Sequence, residues 1–202
     1  MLATLASTHL FWITSRAAGT TALVLSSATV SVGLLMGLRL RGRANAATAG
    51  APERRSIHEA LALATMVAIA VHGLSLIGDS YLHASLFDVT VPFVSSYKTL
   101  PTSLGIVAGW GLLLFGLSYY ARRRIGIKRW RLIHRLTLLA WLAGLVHTFT
   151  EGTDAGQPWF IALVLLPIAL AAALVVYRLA PRARPGTRTV RPRRDPFPSP
   201  SG

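Results

Sequence analysis

The chain has 202 residues, of which 52% are hydrophobic and 14% charged, and its formal net charge is +14. Because its apolar stretches approach the length that crosses a bilayer, this composition excludes an ordinary soluble domain and predicts an integral membrane protein. The sequence has no cysteine, which excludes disulfides, iron–sulfur clusters and thiolate-ligated haem. The basic residues lie between and after hydrophobic runs rather than among aromatic residues on a polar face, which argues against nucleic-acid binding.

Five apolar segments are long enough to be membrane-spanning helices, so the predicted fold class is an all-α integral membrane protein with a five-helix bundle. The segments are approximately 17–38, 57–78, 101–121, 132–150 and 158–178. The N-terminus has no basic stretch before its first apolar run, so we expect no cleaved signal peptide. We divide the chain into a membrane domain, residues 1–178, and a basic, proline-rich tail, residues 179–202, which we expect to be disordered.

The charges that flank these segments predict the orientation of the bundle. Apart from Arg16 and Lys98, the 21 Lys and Arg residues lie near the connections that follow the first and third spans or at the C-terminal end. The positive-inside rule places those regions in the cytoplasm, with the N-terminus outside and the C-terminus inside. We therefore expect a multi-pass protein of a bacterial inner or plasma membrane whose second and fourth spans both run outward. The loop at 79–100 is expected to lie on the outer surface as a lid.

Four histidines lie in two of the predicted spans and mark two levels of the membrane. His58 and His72 are 14 residues apart in the second span, and His134 and His147 are 13 residues apart in the fourth. At 1.5 Å per residue each step covers roughly 20 Å. Because the two spans run in the same direction, His58 is predicted to face His134 near the cytoplasmic side, and His72 to face His147 near the outer side.

Imidazole is a standard axial ligand of haem iron, and an ionisable side chain inside a membrane span indicates a function. The four histidines are therefore the predicted iron ligands of two stacked b-type haems. The alternative is that they make interhelical hydrogen bonds. In a straight helix, two side chains 14 residues apart differ by about 40° in direction around the axis, whereas two side chains 13 residues apart differ by about 140°. For the fourth span we therefore expect a local tightening, a tilt, or haems that approach from different sides. His9 and His83 have no partner at matching spacing and are expected to be exposed.

Three further segments accompany the histidines: W-I-T-S-R-A-A-G at 12–19, R-R-R-I-G-I-K-R-W-R-L-I-H-R at 122–135 and H-T-F-T-E-G-T-D at 147–154. With them, residues 12–178 resemble the ferric reductase-like transmembrane domain family. That family includes iron reductases, NADPH oxidases and the haem-binding membrane subunit of bacterial methionine sulfoxide reductase systems. The chain departs from the family in having five predicted spans rather than six, and we expect no flavin and nicotinamide domain after the last span.

The resemblance implies that His58 and His134 hold the inner haem and that His72 and His147 hold the outer one. It also places Arg16 near the outer haem, where the alternative is a side chain that snorkels to the interface. Arg135 follows His134 directly. It either binds a propionate of the inner haem or only adds to the positive charge that the positive-inside rule places in the cytoplasm.

The predicted interface aromatic residues include Trp130. The G-x-x-x-G steps that begin at Gly33 and Gly105 either bring helices together or leave room for a macrocycle.

The predicted function is transmembrane electron transfer by a membrane cytochrome with two b haems. The donor is a separate flavoprotein, an NAD(P)H dehydrogenase or quinol, so flavin enters only through a partner. The acceptor at the outer face is ferric iron or a redox partner protein, and the sequence leaves open whether the chain is itself the reductase or an electron-transfer subunit of one. The alternative is a non-enzymatic haem-binding membrane sensor or assembly subunit.

Overall fold

The computed structural model describes the backbone of residues 2–39 and 51–180, and the side chains of 9–37 and 52–180. Within these ranges the regular structure is entirely helical. The helices are α1 (Leu2–Arg39), α2 (Ala51–Ile77), α3 (Leu86–Thr90), α4 (Thr99–Leu117), α5 (Arg122–Ile125), α6 (Ile127–Arg135), α7 (Thr137–Glu151) and α8 (Pro158–Leu179). The predicted tail at 179–202 lies outside the described residues beyond Ala180.

Five segments are long and apolar enough to cross a membrane, which confirms the predicted all-α fold class. They are His9–Gly37, Pro52–Ile77, Thr99–Leu117, Ile127–Glu151 and Pro158–Leu179. The first helix is longer than predicted and begins at Leu2 rather than near residue 17. The physical reason is that residues 2–16 contain neither glycine nor proline, so nothing interrupts the helix before its apolar part.

Helix α1 is central to the bundle, since it packs against α2, α7 and α8, while α4 packs against α7. A small apolar core joins α1 to α8 through Leu23, Phe160 and Val164, each at most 5% exposed. We call the end of the bundle where α1 ends and α2 begins the basic end, because the short helices α5 and α6 with their Arg and Lys residues lie there. The opposite end, which carries α3 and the connection between α7 and α8, is the far end.

The fourth span is not one straight helix. It breaks at Leu136, whose backbone N–H donates to the carbonyl of Ile133, three residues back, at 2.9 Å. Leu136 has φ −67° and ψ −16°, which is close to 3₁₀ geometry. Each 3₁₀ residue turns about 20° more than an α-helical one, so one tightened turn recovers roughly 60° of the rotation that the 13-residue step lacks. Local tightening, one of the three predicted alternatives, is therefore what the structure contains.

Candidate functional site

The two histidine pairs meet at two levels of the bundle. The ring centroids of His58 and His134 are 6.2 Å apart with an interplanar angle of 77°. Those of His72 and His147 are 6.3 Å apart with an angle of 68°. The first pair lies toward the basic end and the second toward the far end. The structure thus brings together both pairs that the helix directions predict.

A gap separates the helices that carry these pairs. No Cα atom of α2 lies within 8 Å of a Cα atom of α6 or α7, and all three helices belong to the described part of the chain. Directly packed helices have axes 8–10 Å apart, and their nearest Cα atoms are closer still. The imidazole rings therefore face one another across a space that the backbones leave open.

Each histidine is held by a backbone carbonyl of a neighbouring helix. The contacts of Nδ1 are His58 to Thr29 O at 3.1 Å, His72 to Ser15 O at 2.8 Å, His134 to Phe115 O at 3.3 Å and His147 to Pro101 O at 2.9 Å. A carbonyl oxygen only accepts, so Nδ1 donates and carries the proton of the neutral ring. The lone pair of Nε2 is then available to a metal. A hydrogen bond from Nδ1 to a carbonyl fixes the orientation of a histidine ligand in this way.

Three of the four imidazoles lie against a glycine. A β-carbon built on Gly19 would stand 2.9 Å from Nδ1 of His72, and one on Gly33 would stand 3.1 Å from Cε1 of His58. At Gly105 it would stand 2.7 Å from both Cε1 and Nδ1 of His147. A larger side chain at these positions would displace the rings. These three glycines, which we call the notch glycines, therefore leave the space in which the imidazole rings lie.

The helix geometry explains why the notches lie where they do. The carbonyl of residue i in an α-helix points toward the N–H of residue i+4, so an imidazole that reaches it passes the β-position of residue i+4. The carbonyls of Ser15, Thr29 and Pro101 each precede a notch glycine by four residues. At these three carbonyls, the missing side chain at residue i+4 leaves room for an imidazole to share a carbonyl that the helix already uses.

His134 is positioned differently from the other three. Its Nδ1 contact is the longest, and its ring stacks on Trp130 of the same short helix, with centroids 5.3 Å apart and planes at 27°. The indole N–H of Trp130 is buried and has no hydrogen-bond partner among the described residues. Because an unpaired buried donor is costly, this N–H points to an acceptor that the described residues do not supply.

At the far end, polar side chains surround the second pair. The hydroxyl of Ser15 lies 3.0 Å from Nδ1 of His72. The carboxylate of Glu151, one helical turn beyond His147, has Oε2 at 3.2 Å from Nδ1 of that ring. Its Oε1 accepts a hydrogen bond from the hydroxyl of Thr102 at 2.9 Å. Carboxylate contact therefore distinguishes His147 from the other three histidines within the described residues.

Arg16 has a partner within the chain. Its guanidinium makes a bidentate ion pair with Asp154, with Nε donating to Oδ2 at 2.7 Å, and it lies over the ring of Trp12 at 4.1 Å. The side chain of Arg135 is exposed and has no hydrogen bond or ion pair within the described ranges. The role of Arg16 toward a haem stays a prediction from the resemblance, and that of Arg135 stays a prediction from its place directly after His134.

Between the two levels the bundle is closed by Trp141. This residue is seven positions after His134 and six before His147, is only 2% exposed, and donates from its indole N–H to the hydroxyl of Ser27 at 3.1 Å. Thr65, midway between His58 and His72 on α2, is also buried. The interval between the histidine pairs is thus occupied by protein.

The remaining predicted features lie outside these two levels. His9, which lies within α1, and His83 both have exposed side chains. The predicted lid at 79–100 includes α3, whose N-terminus forms a capping box between Ser85 and Asp88. The lid is tied to α4, since the indole N–H of Trp110 donates to the carbonyl of Thr90 at 2.8 Å.

The geometry of each pair fits a metal ion between two imidazoles. A metal–nitrogen bond to histidine is about 2.0–2.1 Å long and the ring centre lies roughly 1 Å behind the nitrogen, so the two centroids should be about 6 Å apart. No group of three or more His, Cys, Asp or Glu residues able to hold a metal occurs within the described ranges. A b-type haem needs only two protein ligands, because the porphyrin supplies the other four nitrogens.

Several contributors to this site were missed in the sequence. Trp130 was predicted only as an interface residue, and the segments that carry the resemblance contain four more without a predicted role: Ser15, Gly19, Glu151 and Asp154. One signal was present: Gly19 and Gly33 are 14 residues apart, as are His58 and His72 on the next helix. Equal spacing on consecutive antiparallel helices predicts residues that face one another at two levels.

Comparisons with protein-family models, with curated proteins and with solved structures found no match.

Proposed function

We propose that this chain is a membrane cytochrome of the ferric reductase-like type that holds two b haems and carries electrons across the bilayer. The observation that carries the proposal is the pair of facing imidazoles at each of two levels. In each pair both Nδ1 atoms contact backbone carbonyls, and neither Nε2 atom has a hydrogen-bond partner within the described residues. Interhelical hydrogen bonding accounts for the Nδ1 contacts, but it does not account for the open gap or for matched pairs at both levels.

The chain's residues would hold the two groups in these places. His58 and His134 are the proposed ligands at the basic end, and His72 and His147 at the far end. Haem supplies one-electron chemistry when bound. The buried N–H of Trp130 fits a propionate oxygen at the basic end. Arg135 is the further proposed partner of a propionate there, and Arg16 is the proposed partner of a propionate or of the substrate at the far end.

The rest of the bundle connects the two levels. Between them lies Trp141, which is 2% exposed and donates its indole N–H to the hydroxyl of Ser27. The small core of Leu23, Phe160 and Val164 packs α8 against α1. The proposed role of this packing is to hold the ligand rings in place, which limits the reorganisation that electron transfer requires.

The charge distribution supports the direction of transfer. The basic end, with Arg54, Arg55 and the positive residues of α5 and α6, is the proposed cytoplasmic face of a bacterial inner or plasma membrane. The proposed donor there is a separate flavoprotein, an NAD(P)H dehydrogenase or membrane quinol. The proposed acceptor at the far end is ferric iron or a redox partner protein.

The first experiment measures haem per chain after purification in detergent. We expect two b haems in the wild type by pyridine haemochromogen assay. The sharpest variants replace each ligand by asparagine, because the amide nitrogen occupies the position of Nδ1 and keeps the bond to the carbonyl while Nε2 is lost. His147→Asn and His72→Asn should each remove one haem, and the double variant should still hold one.

His9→Ala and His83→Ala are the matched controls, and both should keep two haems. A wild type without haem, or His72→Asn and His147→Asn variants that keep both, would refute the proposal and favour the hydrogen-bonding alternative. Transfer itself is tested in vesicles loaded with ferricyanide and treated outside with dithionite. Reduction of the trapped ferricyanide should need a haem at each of the two levels. His134→Asn and His147→Asn should therefore each abolish this reduction.

A further inference from the structure

The two proposed haem levels differ in the charge beside their ligands. At the far end the carboxylate of Glu151 lies beside His147, with Oε2 at 3.2 Å from Nδ1. Its side chain is 16% exposed, and Oε2 is buried without a hydrogen-bond partner in the described part of the chain. A negative charge so placed is only weakly screened by solvent.

The carboxylate is held in this position by a second contact. Thr102 on α4 donates to Oε1 at 2.9 Å, so Oε2 is turned toward the imidazole. The Nδ1 proton of His147 is itself directed to the carbonyl of Pro101 at 2.9 Å. Glu151 therefore acts on the ring through its charge rather than as the main hydrogen-bond acceptor.

The basic end offers a contrast in how its carboxylate is engaged. Glu59 follows His58 in the sequence, but its carboxylate accepts a hydrogen bond from the hydroxyl of Tyr120 at 2.6 Å. The other charged residues near that level include Arg54 and Arg55 of α2 and the arginines and lysine of α5 and α6. The first pair thus lies near mostly positive side chains and one carboxylate that is bonded to Tyr120, whereas the second pair lies against the buried carboxylate of Glu151.

Resting on the proposed function, we infer that Glu151 is a positioning residue that makes the far-end haem harder to reduce than its ligands alone would. A nearby negative charge stabilises the ferric form, which carries one more positive charge than the ferrous form. Electrons that reach the far end would then leave from a strongly reducing site. Outward movement of electrons is favoured by a membrane potential that is negative inside.

The test is a potentiometric titration of the reduced-minus-oxidised b bands of the purified protein. Glu151→Gln should shift the midpoint of the far-end haem to a more positive potential while both haems are retained. The assignment comes from His72→Asn, which leaves only the basic-end haem and should make the Glu151→Gln shift disappear. Glu59→Gln is the matched control and should leave the far-end midpoint in place.

An unmoved midpoint in Glu151→Gln with two haems bound would overturn this inference and leave the proposed function intact. A wild type without haem would overturn both. If Glu151→Gln fails to retain the far-end haem, the Glu151→Asp variant provides the test, because its side chain is one methylene shorter and places the charge farther from His147. A positive shift in Glu151→Asp supports the inference, and an unchanged midpoint refutes it.

Discussion

Gly105 of α4 lies directly against His147 of α7, so close that a β-carbon at Gly105 would stand 2.7 Å from two atoms of the imidazole. Real β-carbons do not approach other atoms so closely, and the ring has no free direction because Nδ1 is bound to Pro101 O. The position of this histidine therefore depends on the absence of a side chain on the neighbouring helix.

Alanine at the notch glycines should reduce haem binding in a graded way. The loss should be greatest for Gly105→Ala, smaller for Gly19→Ala and smallest for Gly33→Ala, following their contact distances of 2.7, 2.9 and 3.1 Å. The haem lost should be the far-end one in the first two variants and the basic-end one in the third. Haem per chain and the assigned redox midpoints measure this.

Gly144→Ala is the control for the notches, because a β-carbon there would make an ordinary contact with the side chain of Ala108 at 3.6 Å. It should keep both haems. Equal haem loss in Gly144→Ala and Gly105→Ala would mean that helix packing in general, and not the histidine seat, is being disturbed.

Trp130 should be needed for the basic-end haem through its stack on His134 and through its N–H. Trp130→Leu removes both and should lose most of that haem, because His134 has no glycine notch and the longest carbonyl contact. Trp130→Phe keeps an aromatic stack and should retain haem with weaker affinity. Titration of haem into the apoprotein, with Trp159→Leu as control, measures the difference, and full retention in Trp130→Leu would contradict the prediction.

The pair of Arg16 and Asp154 should contribute to folding stability. Because the ion pair is bidentate and Asp154 is buried, Arg16→Gln and Asp154→Asn should each lower the free energy of unfolding by roughly 1–3 kcal/mol. The double variant should be little worse than either single one. Unfolding in detergent, arranged as a double-mutant cycle, gives the coupling energy.

Haem content separates this structural role from the one that the resemblance implies for Arg16. If the pair only stabilises the fold, Arg16→Gln and Asp154→Asn should both retain two haems. Loss of the far-end haem in Arg16→Gln alone would instead assign the guanidinium to the haem.

The short helix α3 should loosen at acid pH. Hydrogen bonds from the hydroxyl and then the backbone N–H of Ser85 hold the pKa of Asp88 below its usual range. A lowered folded-state pKa stabilises the cap above the unfolded value of about 4, and that stabilisation is lost as the pH falls below it. Hydrogen exchange of residues 86–90, measured relative to the intrinsic rate at each pH, should therefore accelerate below about pH 4.

The variant Asp88→Asn should show the same faster exchange already at neutral pH, because its amide is a weaker acceptor for the two donors of Ser85. Thr90→Val, which removes a hydrogen bond outside the capping box, is the control. Exchange in Asp88→Asn that matches the wild type at pH 7 would show that the box does not hold this helix.

Much of the site depends on tertiary contacts that no local pattern contains. Glu151 is one turn from His147 in sequence, but its orientation depends on Thr102 of another helix. The pairing of Arg16 with Asp154 joins residues from opposite ends of the chain. Both contacts arise only once α1, α4 and α7 have packed, so the sequence left Arg16 between a haem and the membrane interface and predicted no role for Glu151.

The sequence by itself determined the class of fold and the two histidine levels. Apolar length sets the number of spans, and a rise of 1.5 Å per residue sets the depth of each histidine, so neither depends on how the helices pack. The tertiary structure decided which imidazole nitrogens bind backbone carbonyls and which have no partner among the described residues. That outcome depends on carbonyls and glycines of neighbouring helices, which reach the rings only when the bundle has formed.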